Sequence, residues 1–259
     1  MISPVIFVFI LSTMCASAQR LPKDPFVNAV VSHGGIIRMD TTQKKVYLVF
    51  TGHEFADGMD LIHDTLRTHG VRASFFFTGD FYRKNEFAGG IRRLRDAGHF
   101  LGAHSDRHLL YVPWEKRDSL LVDRESLQKD IGDNYAEMAR LDISRRDAAF
   151  FMPPYEWYNE TIASWVSEMG LILVNFTPGT RTNADYTTPS MGESYVSSSS
   201  IEKRLLEVEL RDGLNGHILL LHVGTDPGRE DKLYDILGAI VTELRARGYD
   251  FGSFSDFQK

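Results

Sequence analysis

The residues of this chain best suited to chemistry are histidines. His104-Ser105-Asp106-Arg107-His108 closes an apolar run (Phe100, Leu101, Ala103), and imidazoles four positions apart on a turn or tight loop can address one centre. Neutral imidazole is a good ligand for zinc and its neighbours, so the pair reads as two metal ligands or, more plainly, as two half-exposed histidines on a strand-to-helix turn. A third histidine, His222, ends the apolar run Ile218-Leu219-Leu220-Leu221. In parallel α/β folds the carboxyl end of a strand is where active sites are assembled. Met152-Pro153-Pro154-Tyr155 ends another run the same way, with two prolines stiffening a rim and aromatic surface beyond it at Trp157 and Tyr158. Acidic candidates gather after a fourth run, in Phe50-Thr51-Gly52-His53-Glu54-Phe55-Ala56-Asp57-Gly58.

Stepping from these residues to what must carry them, the chain alternates short β-branched or aromatic runs with amphipathic stretches, the pattern of repeated β-α units. Strands are expected at 46–51, 73–78, 99–104, 148–152, 171–176, 218–222 and 249–254. Each is apolar enough to be buried on both faces. Between them Leu61, Ile62, Thr65 and Leu66 share a helical face, as do Ile162, Trp165, Val166 and Met169, and then Leu237, Ile240, Val241 and Leu244. The segment 109–143 reads as a long, charged, helical insertion, and Ser197–Ser200 as the cap of a later helix.

Composition narrows the function classes. The 259 residues are 43% hydrophobic, enough for a substantial core. Lys and Arg number 29 against 35 Asp and Glu, a net charge of −6, which argues against nucleic acid as a partner. Residues 1–18 pair an apolar stretch with a small-residue site, Ala16-Ser17-Ala18, and read as a signal peptide for a secreted or periplasmic protein, although the usual charged start is missing. That apolar run is shorter than the ~20 residues a membrane span needs, so the mature chain is expected to have no transmembrane segment. Cys15 is an alternative lipid-attachment point, disfavoured by the bulky Met14 before it. Residues 19–44 form a lead segment and 45–259 the domain.

In this order, H-S-x-x-H, then P-P-Y, then an apolar run ending in His, with Gly70–Gly79 (G-V-R-A-S-F-F-F-T-G) before them, the chain resembles the polysaccharide deacetylases of the NodB-homology type, carbohydrate esterase family four. The resemblance implies an α/β fold, a distorted (β/α) barrel of about seven strands. It also implies a divalent metal, Zn2+ before Co2+ or Ni2+, held by one Asp and two His, an Asp base, a His acid and an acetylated glycan as substrate.

The first motif departs from that pattern. The family's T-F-D-D-G is absent, and two registers are open. One places Thr51 and Gly52 at the two Asp positions. The other, two residues on, places His53 and Glu54 there and keeps the same strand faces. Chemistry favours the second, because Glu54 completes a two-His, one-carboxylate set with His104 and His108. Asp57 is the fallback ligand. The Arg expected before P-P-Y is Met152, so cation and acid are lost together, a self-consistent pair of changes. His53 then serves as base with Glu156 as its rival, and His222 as acid. Tyr155 and Trp157 are the expected sugar-binding surface. An Asp that would orient His222 has no clean counterpart; Asn175 and Asp185 are the polar candidates.

Overall fold

The computed structural model describes residues 25–258, so the expected signal peptide and Cys15 lie outside the described residues. In chain order the elements are β1 (Val30–Ser32), β2 (Gly35–Arg38), β3 (Lys45–Gly52), α1 (Met59–Thr68), β4 (Ser74–Phe77), α2 (Gly79–Arg83), α3 (Asn85–Asp96), β5 (Phe100–Ala103), α4 (Arg124–Ala139), β6 (Phe150–Phe151), α5 (Glu160–Glu168), β7 (Ile172–Leu173), α6 (Ser198–Asp212), β8 (Ile218–His222), α7 (Leu237–Ala246) and β9 (Asp250–Gly252). β3 to β9 form one seven-stranded sheet ordered β7-β6-β5-β4-β3-β8, with β9 also on β3. Every pairing in it is parallel. This is the distorted α/β barrel expected from the sequence. All seven expected strands are present; β4, β5 and β6 are buried throughout and β3 and β8 nearly so, as parallel strands covered by helices must be, whereas β9 is buried only at Gly252.

Two strands share the early part of the barrel. β9 pairs with Lys45–Tyr47 of β3, and the Ser253 hydroxyl just beyond it donates to the Ala73 carbonyl at the foot of β4. β4 itself pairs with β3 only from Val49 onward. Phe76, Phe100, Phe150 and Phe254 pack together in the core, with ring centroids between 4.6 and 5.9 Å apart for Phe150–Phe254 and Phe100–Phe254 respectively.

Three features differ from the sequence reading. The lead segment carries a β-hairpin, β1 with β2, turned at His33-Gly34. It spans the gap between the two edge strands: Ile36 bridges Val174 beyond β7, and Arg38 bridges His217 before β8. Edge backbone groups that would stand open are thus paired. In 109–143 only α4 is helical, started by Asp123, whose carboxylate accepts from the Ser126 N–H; the stretch before it is a loop. The buried face of α1 is Met59, Ile62 and Leu66, while Leu61 is turned to solvent. Ser197 caps α6 as expected, accepting from the Ser200 N–H.

Candidate active site

The carboxyl ends of β3, β5, β6 and β8 surround a cavity of about 580 Å3. His104 follows β5 and is fully buried. Its Nδ1 meets the Met152 carbonyl at 2.9 Å, so the ring donates there and bares Nε2. Its backbone N–H is held by Asn134 Oδ1 at 2.8 Å. Asp130, one turn earlier on α4, accepts from the N–H groups of Asp106 (3.2 Å) and Arg107 (3.4 Å) and from the Tyr111 hydroxyl (2.5 Å). Two α4 side chains spaced i, i+4 therefore fix the shape of the H-S-D-R-H loop. Arg83 on α2 pairs with Asp106 and braces it from outside.

His108 ends that loop. Its ring centroid is 5.1 Å from His104 and 4.8 Å from His53, stacked on the latter at 13°. Burial, joined by the neighbouring imidazoles, lowers the pKa of His104 to about 3 and of His108 to about 2, and burial also lowers His53. All three rings are neutral at ordinary pH, the form in which imidazole binds metal.

The first motif resolves as follows. β3 runs through Gly52, paired to Phe77, and a Cβ on Gly52 would stand 2.8–2.9 Å from Val223, Phe77 and Phe81 side-chain atoms. The position has no room for a side chain on that face, and the next residue, His53, faces the cavity. Its Nδ1 is 3.1 Å from the Thr78 hydroxyl. Glu54 is exposed and outside the cavity; its carbonyl accepts from Lys84, and its carboxylate acts on His53 only through its charge. Asp57 is tied to the Thr225 N–H, the Tyr234 hydroxyl and Lys232. The structure brings neither acid to the histidines.

The carboxylate that does reach them is Glu156, whose Oε1 is 3.8 Å from His104 Nε2. Burial pushes its pKa up to about 7, with His222 opposing and Asp185 assisting. It is delivered by a contorted rim: Tyr155 and Glu156 both hold left-handed φ, 58° and 52°. The Glu156 carbonyl is pinned by the Asn175 side-chain amide at 2.7 Å, the role the structure gives that candidate.

Asp185 takes the other role. It is fully buried, accepts the His222 backbone N–H at 2.8 Å and meets His222 Nδ1 at 2.6 Å. Burial works to lower the His222 pKa, but the charge and hydrogen bond of Asp185, with Glu156 behind, outweigh it and raise it. Sequence reasoning had no basis for choosing Asp185, since it lies 37 residues before its partner in a short helical turn. Aromatic rings rim the cavity: Tyr155 packs on His108 at 4.3 Å, Trp114 on Trp157 at 5.5 Å, and Tyr186 on His222 at 5.6 Å. Trp114 and Tyr186 were not singled out by the sequence.

Residues 38–174 match the family model for polysaccharide deacetylases. The chain belongs to that family. Its relatives include the peptidoglycan-N-acetylmuramic acid deacetylase of Bacillus subtilis, 22% identical over 217 residues, 84% of this chain and 72% of that one. The chitooligosaccharide deacetylase of Azorhizobium caulinodans is 25% identical over 227 residues, 83% and 95% of the two chains. Two solved structures share the fold. A carbohydrate esterase family 4 pseudoenzyme from Bacillus anthracis superposes with a TM-score of 0.67 at 16% identity, over 88% of this chain and 70% of that one. An acetyl xylan esterase of family 4 from Clostridium thermocellum, in complex with a cobalt ion, gives 0.62 at 22%, over 82% and 88%. This polysaccharide deacetylase family member has, among its described residues, no helix long and apolar enough to cross a membrane.

The donor set of this chain fits a divalent ion in kind. Three neutral imidazoles and a carboxylate adjoin one cavity, with Nε2 of His104 bared and no hydrogen bond to either ring nitrogen of His108 among the described residues. They are not drawn together about one point, since no group of three such side chains is already in a metal-holding arrangement among the described residues.

Proposed function

We propose that this chain removes acetyl groups from a glycan by metal-assisted hydrolysis. The observation that carries the reading is the Asp185–His222 pair at 2.6 Å, sharing one cavity with the neutral imidazoles of His104 and His108. A divalent ion, Zn2+ or an equivalent such as Co2+ or Ni2+, would be held by His104 and His108 with His53 as a third imidazole in place of Glu54. Bound there, it would supply Lewis-acid polarisation of the acetyl carbonyl and a lowered pKa for water.

The protein groups do the rest. Glu156, within reach of His104 and on the cavity wall, takes the proton of the attacking water. A backbone N–H near Tyr155 would meet the developing oxyanion. His222 has Nδ1 committed to Asp185, so Nε2 carries the proton delivered to the departing sugar amine or alkoxide. Acetate and a free amine or hydroxyl leave. Tyr155 and Trp157 offer flat surface to the sugar.

The test is acetate release by the purified full chain, supplied with Zn2+ or Co2+, from acetylated chitooligosaccharides, acetylated xylan and peptidoglycan. Release from at least one, abolished in His222→Ala, is expected. A second reading, a protein of this fold that binds glycan without cleaving it, draws on Thr51 and Gly52 ending β3 where the resemblance calls for two Asp. Stoichiometric metal with no acetate from any of the three substrates would establish it instead.

A further inference from the structure

His53 follows β3 and His222 ends β8, and the loops beyond these two strands are stitched together along their backbones. The Val223 N–H donates to the Thr51 carbonyl at 2.8 Å, and the Val223 carbonyl accepts from the Gly58 N–H at 3.0 Å. Residues 52–57 thus form an arc whose two ends both rest on the residue after His222. The approach is close: a Cβ on Gly224 would stand 2.4 Å from backbone atoms of Phe55 and Ala56, and one on Gly58 would stand 2.8 Å from the Val223 carbonyl oxygen. Glycine is what lets two backbones meet this tightly.

A single ammonium group closes the arc. Lys232 Nζ reaches the Thr225 carbonyl (3.1 Å) and hydroxyl (2.9 Å), the Asp226 carbonyl (3.0 Å) and, across the join, Asp57 Oδ2 (3.2 Å). Four oxygens, one of them a carboxylate's, repel one another unless a cation sits between them. Asp57 also accepts from the Thr225 N–H at 2.9 Å and from the Tyr234 hydroxyl. The lysine side chain is only 14% exposed, so these charge-assisted bonds are little screened by solvent.

The lysine starts from a fixed point. Asp231, just before it, accepts from the Tyr195 hydroxyl at 2.6 Å and from the Ser198 N–H at the start of α6 at 2.7 Å, and its carbonyl accepts from Arg229 at 3.1 Å. The ammonium is therefore anchored to the body of the protein and holds the arc against it.

His222 is oriented by Asp185, and His53 meets Thr78, but neither contact fixes how far apart their two loops lie. We infer that Lys232 is a positioning residue: its ammonium, caged by oxygens of Thr225, Asp226 and Asp57, locks the arc bearing His53 to the loop after His222 and so sets the spacing of the two histidines. This rests on the reading of the site as a deacetylase, in which His53 holds the metal and His222 delivers the proton. Misplaced reacting groups slow turnover steeply, whereas glycan binding on other walls of the cavity is left alone.

The test is Lys232→Ala in the full chain supplied with Zn2+, with and without n-propylammonium, which replaces the atoms the substitution deletes. Two quantities are read: kcat and KM on whichever acetylated glycan releases acetate, and amide hydrogen exchange over 55–58 and 223–225. The variant is expected to lose about tenfold or more in kcat with KM within about twofold, and to exchange about tenfold faster in both segments. Propylammonium should restore both, and tetramethylammonium, which has the charge without the N–H donors, should restore neither. Lys232→Met keeps the stem in place, so it should show the same losses with no recovery by the amine. Unchanged kcat, unchanged exchange, failure of propylammonium to restore Lys232→Ala, or equal recovery with tetramethylammonium would overturn the inference. If the parent releases no acetate, the deacetylase reading fails and the exchange measurement alone decides the clamp. If acetate is released while neither kcat nor exchange responds, the clamp falls and the deacetylase reading stands.

Discussion

The two sides of the cavity are built on opposite principles. On the β5 and β6 side the protein holds neutral groups on a strained backbone: Ser105, His108, Tyr155 and Glu156 all have φ between 52° and 71°, a region L-residues rarely occupy. On the β8 side the backbone through His222 is ordinary strand, and the side chain is held by charge, through the buried Asp185. The segment bearing Asp185 is in turn anchored by Arg229, which is fully buried and donates to the carbonyls of Thr187 (2.6 Å) and Val196 (3.1 Å) and to the Ser198 hydroxyl. A proton donor needs a partner that keeps it charged, whereas metal ligands need the charge removed. Burial alone serves the second purpose, and only a buried carboxylate serves the first.

The largest effect should come from the charged side. Asp185→Asn removes the group that raises the His222 pKa, so acetate release should fall by about 10^2 to 10^4 in kcat with KM nearly constant. The alkaline limb of the pH–rate profile should move to lower pH, because a less basic His222 loses its proton earlier. An unmoved alkaline limb would break the assignment of His222 as acid. Arg229→Met tests the anchor behind it. Three carbonyls, those of Thr187, Val196 and Asp231, and the Ser198 hydroxyl lose their donor, and urea unfolding should show a loss of ~3 kcal/mol.

The strained side should respond with the opposite sign. Glu156 has a raised pKa, so it binds protons in the folded state between its ordinary value and about 7, and its ionised form costs stability as pH rises through that window. In metal-free protein at pH 8, Glu156→Gly removes both this cost and the left-handed strain, and should raise the urea midpoint by the equivalent of ~1 kcal/mol while abolishing acetate release. A destabilised variant would show that the rim is not strained.

A smaller effect belongs to the approaches to the same two strands. His99 before β5 and His217 before β8 are both lowered to about 4, by burial first and then by neighbouring cations or histidine. Unfolded, each takes up its proton near 6.5, so stability is whole above that value and drains as pH falls from there towards 4. His99→Asn should reduce the acid slope measured by urea unfolding, by less than ~1.4 kcal/mol per pH unit. An unchanged slope would assign it elsewhere.

The strands were legible because buried parallel strands are continuous apolar runs, as in β3, β4, β5 and β8, which need no tertiary context to be seen. The hairpin was missed although His33-Gly34-Gly35 between Val30-Val31 and Ile36-Ile37 is a turn signal, because its strands are only three and four residues long. The histidines were legible for a similar reason: each sits at the end of an apolar run, so local sequence alone puts it at the carboxyl end of a strand. The acids were not. Glu54 and Glu156 look alike in sequence, and Asp185 has no local mark.

The sequence by itself determined where the strands lie along the chain, the family likeness and the imidazoles that reach the cavity, because these depend on period and on neighbours in the chain. Tertiary structure decided which carboxylates join them. A packed contact at Gly52 closes that position and leaves His53 facing the cavity, with Glu54 in solvent. Left-handed backbone at Tyr155 and Glu156 swings Glu156 in, and the fold carries Asp185 to His222 across 37 residues. Those choices depend on steric contact and on distance in space, which no spacing along the chain encodes.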